Sequence, residues 1–213
     1  MLNPFRRLLL IVLACALPLA VAHAADPATP PPFEEGKDYV RLSTPVPTDT
    51  PDKIEVVEMF WYGCPHCFDL EPSVREWLKH KPDNVVFVRI PVAFGANWEP
   101  GARAYYAAEA LGVLDQIHQP LFDAIHREKR KLNNEDELAA FFAEHGVDQD
   151  AFRKAYSSFQ TETQLRRGNQ LAQRYGVRGV PAVIVNGKYD VRSPRMFEVV
   201  DFLIVQEAAA PGG

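Results

Sequence analysis

The chain has 213 residues, 47% hydrophobic and 24% charged, a balance that fits one substantial core or two small ones and excludes disordered and fibrous classes. Its 23 Lys and Arg stand against 28 Asp and Glu, a net charge of -5. With no basic stripe or interleaved aromatic motif, a nucleic-acid partner is not expected.

Arg6 and Arg7 precede an apolar run from Leu8 to Ala22 that Pro18 interrupts, and Ala22-His23-Ala24 supplies small residues at cleavage spacing. This predicts a secretory signal peptide over residues 1–24, cut after Ala24. The run is shorter than the roughly 20 residues a spanning helix needs; an uncleaved N-terminal anchor is the alternative. Cleavage removes two arginines and no acids, so the mature charge becomes -7. It also removes Cys15, leaving Cys64 and Cys67 as the only thiols. A lipoprotein reading would retain Cys15, but Leu13 and Ala14 match that signal only in part. Residues 25–37 are expected to be a mobile Pro-rich tail, and Tyr39 to Leu42 an edge strand.

Ile54 to Phe60 and Val85 to Ile90 read as strands buried on both faces, parallel and joined by a helix that reaches His80. Cys67, Leu70, Val74, Trp77 and Leu78 recur at helical spacing along its inner side. Pro72 should bend it after its second turn. The first strand therefore delivers Cys64-Pro65-His66-Cys67 onto the first turn of a helix. There the dipole and free N–H groups favour a thiolate on Cys64, while Cys67 turns inward behind it. Cys64 should attack and Cys67 resolve. Two cysteines this close enclose too small a loop to staple a fold, and a tetrahedral zinc site would need ligands that the sequence does not cluster, so no metal is expected. His66, between the cysteines, would as an imidazolium stabilise the Cys64 thiolate and the leaving thiolate of a mixed disulfide. Glu58, on an otherwise apolar strand, would have a raised pKa if buried and could relay a proton to or from Cys67; alternatively it is a strand-edge carboxylate reaching water. Glu71 is read as solvated surface, and Trp61 and Tyr62 as shaping the site.

Residues 97–175 carry helical signals throughout. Gly112 separates two helices, Asn134 with Glu137 resembles a capping box, Gly146 closes that helix, Asp148 caps another, and Thr161 to Tyr175 ends at Gly176. Val180-Pro181 then precedes a strand from Ala182 to Val185, Asn186-Gly187 is a hairpin turn, and Lys188 to Val191 is the return strand. Ser193 caps and Pro194 opens a final helix, after which the tail past Ala208 frays.

This order of elements, with Glu58-Met59-Phe60-Trp61-Tyr62-Gly63-Cys64-Pro65-His66-Cys67 and Arg178-Gly179-Val180-Pro181-Ala182-Val183-Ile184-Val185-Asn186-Gly187-Lys188-Tyr189, resembles the DsbA family of bacterial periplasmic thiol oxidases over about Asp38 to Glu207. The resemblance implies an α/β, thioredoxin-like fold, a central mixed sheet flanked by helices, built from residues 38–96 and 176–208 with an all-helical domain inserted at 97–175. It implies a cis peptide before Pro181 that sets the Val180 backbone beside the cysteines, where an extended substrate adds as a strand. It implies an acid at position 58 and a Cys64-Cys67 disulfide donated to reduced exported polypeptides. Reoxidation would come from a DsbB-like membrane quinone reductase, with no bound cofactor, and a monomer is expected. A disulfide isomerase or reductase of the same superfamily and a noncatalytic periplasmic chaperone are the alternatives.

Overall fold

The structure is a computed structural model that describes residues 32–209. The expected leader, its cleavage point and Cys15, like residues 210–213, lie outside the described residues. Strands β1 (Tyr39–Arg41), β2 (Ile54–Phe60), β3 (Val85–Pro91), β4 (Ala182–Val185) and β5 (Tyr189–Val191) form one mixed sheet in the order β1-β5-β4-β2-β3. Helix α1 (Pro65–Leu78) connects β2 to β3. Helices α2 (Glu99–Ala110), α3 (Leu114–His126), α4 (Glu135–Glu144), α5 (Gln149–Tyr156) and α6 (Phe159–Tyr175) all lie between β3 and β4, and α7 (Met196–Ala209) ends the described fold.

The apolar run Ile54–Phe60 becomes an interior strand, parallel to β3 and antiparallel to β4, with every residue buried, Glu55 and Glu58 included. The second apolar run behaves differently. β3 is the sheet edge, so Val86 to Arg89 are only half-buried and the expectation of burial on both faces fails there.

Helix ends follow the predicted chemistry. Asn134, Asp148 and Ser158 each accept, through a side-chain oxygen, the N–H of the residue three positions on, a contact worth about 1 kcal/mol. The box at Asn134 is displaced: the Glu137 carboxylate accepts from Asn133 N–H at 2.8 Å and not from Asn134 itself. Ser193 Oγ accepts from Arg195 N–H, and α7 begins at Met196, two residues later than expected. α1 runs through Pro72 as one uninterrupted helix.

The fold begins earlier than expected. Phe33, assigned to the mobile tail, is buried and meets the Phe202 ring edge-on at 5.6 Å. One core layer lies around α7, with Val56, Val183, Val199 and Leu203. Another joins Phe60, Tyr62, Cys64 and Cys67 to α2–α6 through Tyr105, Leu121, Phe122 and Phe142.

The β4–β5 turn uses positive φ at both Asn186 (50°) and Gly187 (61°), the primed geometry that suits a two-residue hairpin. A Cβ on Gly187 would also meet the Val46 carbonyl oxygen at an impossible separation, while Val46 N–H donates to Gly187 O at 2.8 Å. Gly187→Ala should therefore cost more than the roughly 1 kcal/mol of backbone strain alone. A loss of about 2 kcal/mol or more is expected in urea unfolding; a cost below about 0.5 kcal/mol would mean that the Val46 segment yields.

Candidate active site

β2 ends at Phe60, and the turn Trp61-Tyr62-Gly63 carries the chain to Cys64, whose N–H donates to Trp61 O at 3.0 Å. Cys64 is the N-cap of α1, with extended backbone and no side-chain cap. Pro65 sits in the first turn, where its missing N–H costs nothing. Pro65 and His66 are exposed on the outer side of that turn. Cys67 faces inward and has no exposed surface, whereas Cys64 retains 6%. The predicted asymmetry is present, but the window onto Cys64 is narrower than expected.

Across the site, the Val180-Pro181 peptide is cis. The Cys64 thiol donates to Val180 O at 3.4 Å, bringing together residues 116 positions apart. Beside the approach turn, Trp61 stacks on Trp98 at 4.2 Å, and Trp98 meets Phe94, which is 42% exposed.

Behind Cys67 lies a buried polar network. Glu58 on β2 and Arg89 on β3 are direct cross-strand neighbours, and Arg89 Nε donates to Glu58 Oε2 at 3.1 Å. Arg89 Nη2 donates to Glu71 on α1 at 3.1 and 3.3 Å. His118 Nε2 lies 3.1 Å from Glu71 Oε1, and His118 Nδ1 lies 2.8 Å from the Tyr62 hydroxyl. His126 Nε2 donates to Tyr62 O at 2.7 Å. The network thus draws on β2, the approach turn, α1, β3 and α3.

Its electrostatics are uneven. Burial pushes the Glu58 carboxyl up to about 7, with the Glu71 charge adding to this and Arg89 opposing it. Glu58 Oε1 is a buried polar side-chain atom with no hydrogen-bond partner. Glu71 is opposed by burial too, but its bonds to His118 and Arg89, with Arg75 nearby, hold its carboxyl below the usual range. Burial lowers His118, so near neutral pH its ring is uncharged. Burial strongly raises Cys67, and the neighbouring Cys64 and Glu58 raise it further. A thiolate at Cys67 is therefore disfavoured wherever Glu58 is ionised.

A strand-to-helix CxxC, a cis-proline backbone against the first sulfur and a buried acid beneath the second are a thiol–disulfide exchange apparatus. The family model of the DSBA-like thioredoxin domain matches residues 55–203. The chain belongs to that family. Its relatives include the thiol:disulfide interchange protein DsbA of Azotobacter vinelandii, 42% identical over 96% of this chain and 99% of the relative. That of Pseudomonas aeruginosa is 42% identical over 95% and 97%. The crystal structure of Pseudomonas aeruginosa DsbA superposes with a TM-score of 0.79 over 83% of this chain and 95% of that one. The Xylella fastidiosa oxidoreductase DsbA does so at 34% identity, with a TM-score of 0.79 over 84% and 99%. The protein is a thiol:disulfide oxidoreductase of thioredoxin-like α/β fold.

In this DsbA-family site, Cys64, Cys67, Val180 and Pro181 come together around one sulfur, with Glu58 behind them. Glu71 is a correction. It is not solvated surface but 2% exposed, because its position four residues after Cys67 returns it to the inner side of α1, where Leu70 is only half-buried. Arg89 and His118 were not singled out. Arg89 left one trace, a lone cation inside an otherwise apolar strand whose neighbour carries two acids, Glu55 and Glu58; His118 left none, since an amphipathic helix accepts a histidine anywhere.

Because the Glu58 carboxyl is raised in the fold from an ordinary value of 4.5 to about 7, the folded state binds the extra proton. Its contribution is thus harmless below pH 4.5 and becomes a penalty as pH rises through 7. That penalty is on the order of 3 kcal/mol. Glu58→Gln should flatten the fall in stability of the reduced protein between pH 5 and 8, measured by urea unfolding. Parallel curves for the two proteins would show that Glu58 is not the group being titrated.

Proposed function

We propose that the chain is a periplasmic disulfide oxidase, which transfers the Cys64-Cys67 disulfide to reduced, newly exported polypeptides. The observation that carries the direction is the burial of Cys67 above a carboxyl whose proton affinity sits near neutrality. A leaving thiolate at that position is costly, and a proton donor lies beneath it.

In the proposed sequence, a substrate thiolate attacks the Cys64 sulfur. The Cys64-Cys67 bond breaks, its electron pair goes to Cys67, and Glu58 supplies the proton that makes Cys67 a neutral thiol. A second substrate thiolate then attacks the substrate sulfur of the mixed disulfide. Cys64 leaves as a thiolate, favoured by the N–H groups of the α1 start and by the His66 side chain on the exposed outer side of that turn. The substrate has lost two electrons, the enzyme has gained them, and Glu58 regains its proton from solvent. Protonation of Cys67 drains the reverse reaction, because the resolving attack needs the Cys67 thiolate.

Pro65 sets the helix start without leaving a buried donor unpaired. Val180, in front of Pro181, offers backbone groups for strand addition by an extended chain. The ledge of Trp61, Trp98 and Phe94 suits the apolar residues that an unfolded polypeptide exposes. Residues 97–175 act as the inserted helical domain and residues 1–24 as a cleaved signal peptide. Two electrons per cycle must pass on, and a DsbB-like membrane quinone reductase is the proposed acceptor for a monomeric enzyme.

The test is the equilibrium of the mature protein with reduced and oxidised glutathione, read by alkylation and mass. A potential more oxidising than the glutaredoxin range of about -200 to -230 mV is expected. A value near the -270 mV typical of thioredoxin would overturn the oxidase direction and leave a reductase with the same site. Cys67→Ser should accumulate a mixed disulfide through Cys64, whereas Cys64→Ser should form none. Equal trapping by both variants would reverse the assigned order of attack.

A further inference from the structure

Two buried carboxylates, Glu58 and Glu71, compete for one half-buried cation, Arg89. With Arg89 charged and both acids ionised the cluster carries an excess negative charge, and low dielectric favours one proton on one of them. Bonding decides which. Glu71 receives both of its oxygens' contacts from Arg89 Nη2, a further contact from His118 and the nearby Arg75 charge at 3.8 Å. Glu58 receives Arg89 Nε on Oε2 alone, and its Oε1 has no partner.

The partners of His118 fix its tautomer. Glu71, bonded to Arg89 and ionised, can only accept, so Nε2 donates to it, and the bare Nδ1 accepts from the Tyr62 hydroxyl, which burial keeps protonated. The hydrogen therefore sits on Nε2, aimed at Glu71. His118 is 8% exposed and is packed edge-on against Phe60 and Phe122 at 5.4 and 5.2 Å. A wedged, uncharged ring with a fixed donor is a different partner for a carboxylate than a mobile cation would be.

We propose that His118 is a positioning residue for thiol–disulfide exchange: by donating Nε2–H to Glu71 it keeps that carboxylate ionised and so leaves the exchangeable proton of the buried cluster on Glu58, next to Cys67. The proposal rests on the reading of Glu58 as the proton donor to Cys67. Every titratable or charged group facing Glu58 enters the balance: Cys67 and Glu71 from α1, Arg89 from β3, Tyr62 from the approach turn and Tyr105 from α2. Glu71 is faced by Arg75, Arg89 and His118. Of these, only His118 touches Glu71 without touching Glu58 while remaining neutral, so it biases the pair without adding charge.

The test follows the C=O stretch of protonated carboxyl groups by difference infrared spectroscopy against pH on the reduced full-length mature protein. Wild type should show one buried carboxylic acid titrating near neutrality that disappears in Glu58→Gln. His118→Phe keeps the aromatic wedge and removes the donor. Without that donor Glu71 takes a proton more readily, so the Glu58 midpoint should fall by about one pH unit and a second band, from Glu71, should appear. His118→Gln, which returns an amide N–H, should restore the wild-type midpoint, a rescue that loosened packing does not predict. An unchanged Glu58 midpoint in His118→Phe overturns the proposal. Should that variant fail to fold, nitrogen NMR of wild-type His118 decides: a neutral Nε2–H tautomer at pH 7 is required, and an Nδ1–H tautomer or an imidazolium overturns it. Separately, if Glu58→Gln leaves the pH dependence of Cys67 release unchanged, the proton-donor reading falls while the allocation by His118 is still decided by the infrared titration.

Discussion

The rest of the site depends on one guanidinium placed between two buried carboxylates. Arg89 is where it is because β3 runs parallel to β2 in a register that sets residue 89 beside residue 58. Had β3 slipped by one residue, its side chains would change faces. Arg89 would leave the cluster, and two acids would be buried with no cation, at a cost of several kcal/mol. With Arg89 in place the cluster is tolerable but still over-acidic, and that surplus is what makes one carboxyl hold a proton at a useful pH. The ion pair that makes two buried acids tolerable is itself incomplete, with Glu58 Oε1 unpartnered.

The helices between β3 and β4 have a chemical role as well as a steric one. Without them the inner side of the approach turn and the flank of α1 would be wet, and neither Cys67 nor Glu58 would be far from its ordinary proton affinity. α2 covers Phe60 with Tyr105, and α3 covers Tyr62 with Phe122. α3 also holds both ends of Tyr62, the hydroxyl through His118 and the carbonyl through His126. The turn that aims Cys64 is thus fixed by an element distant in sequence, and the layer that excludes water is the layer that orients the site.

Much of this was legible in the sequence because it is written in local patterns. Ile54–Phe60 reads as a buried strand from its apolar run, Cys64-Pro65-His66-Cys67 as a helix start from proline at the first turn, and Asn186-Gly187 as a hairpin from its demand for positive φ. Glu58 stood out because a charge in such a strand needs a reason. What stayed hidden depends on which elements meet. Glu71 looks like any helix-surface acid until β3 and α3 close over it. Phe33 looks like part of a Pro-rich tail until the α7 residue Phe202 gives it a partner. Nothing near residue 118 signals a buried histidine, since its partners come from positions 62 and 71. Resemblance supplied what periodicity lacks, above all the apposition of Val180 and Cys64.

That apposition carries a consequence for the order of events. A thiol at Cys64 has a hydrogen to give, and it gives it to the Val180 carbonyl. In the disulfide and thiolate forms the sulfur has none, so the carbonyl turns to whatever donor arrives. An extended polypeptide would supply such a donor in its own backbone N–H, and the strand addition proposed at Val180 would bring a substrate cysteine close to Cys64. In the proposed reaction the disulfide form would thus offer a free acceptor to an adding strand, and only a protonated Cys64 would occupy it. The hydrogen bonding of the Val180 carbonyl is thereby coupled to the protonation and redox state of the Cys64 sulfur.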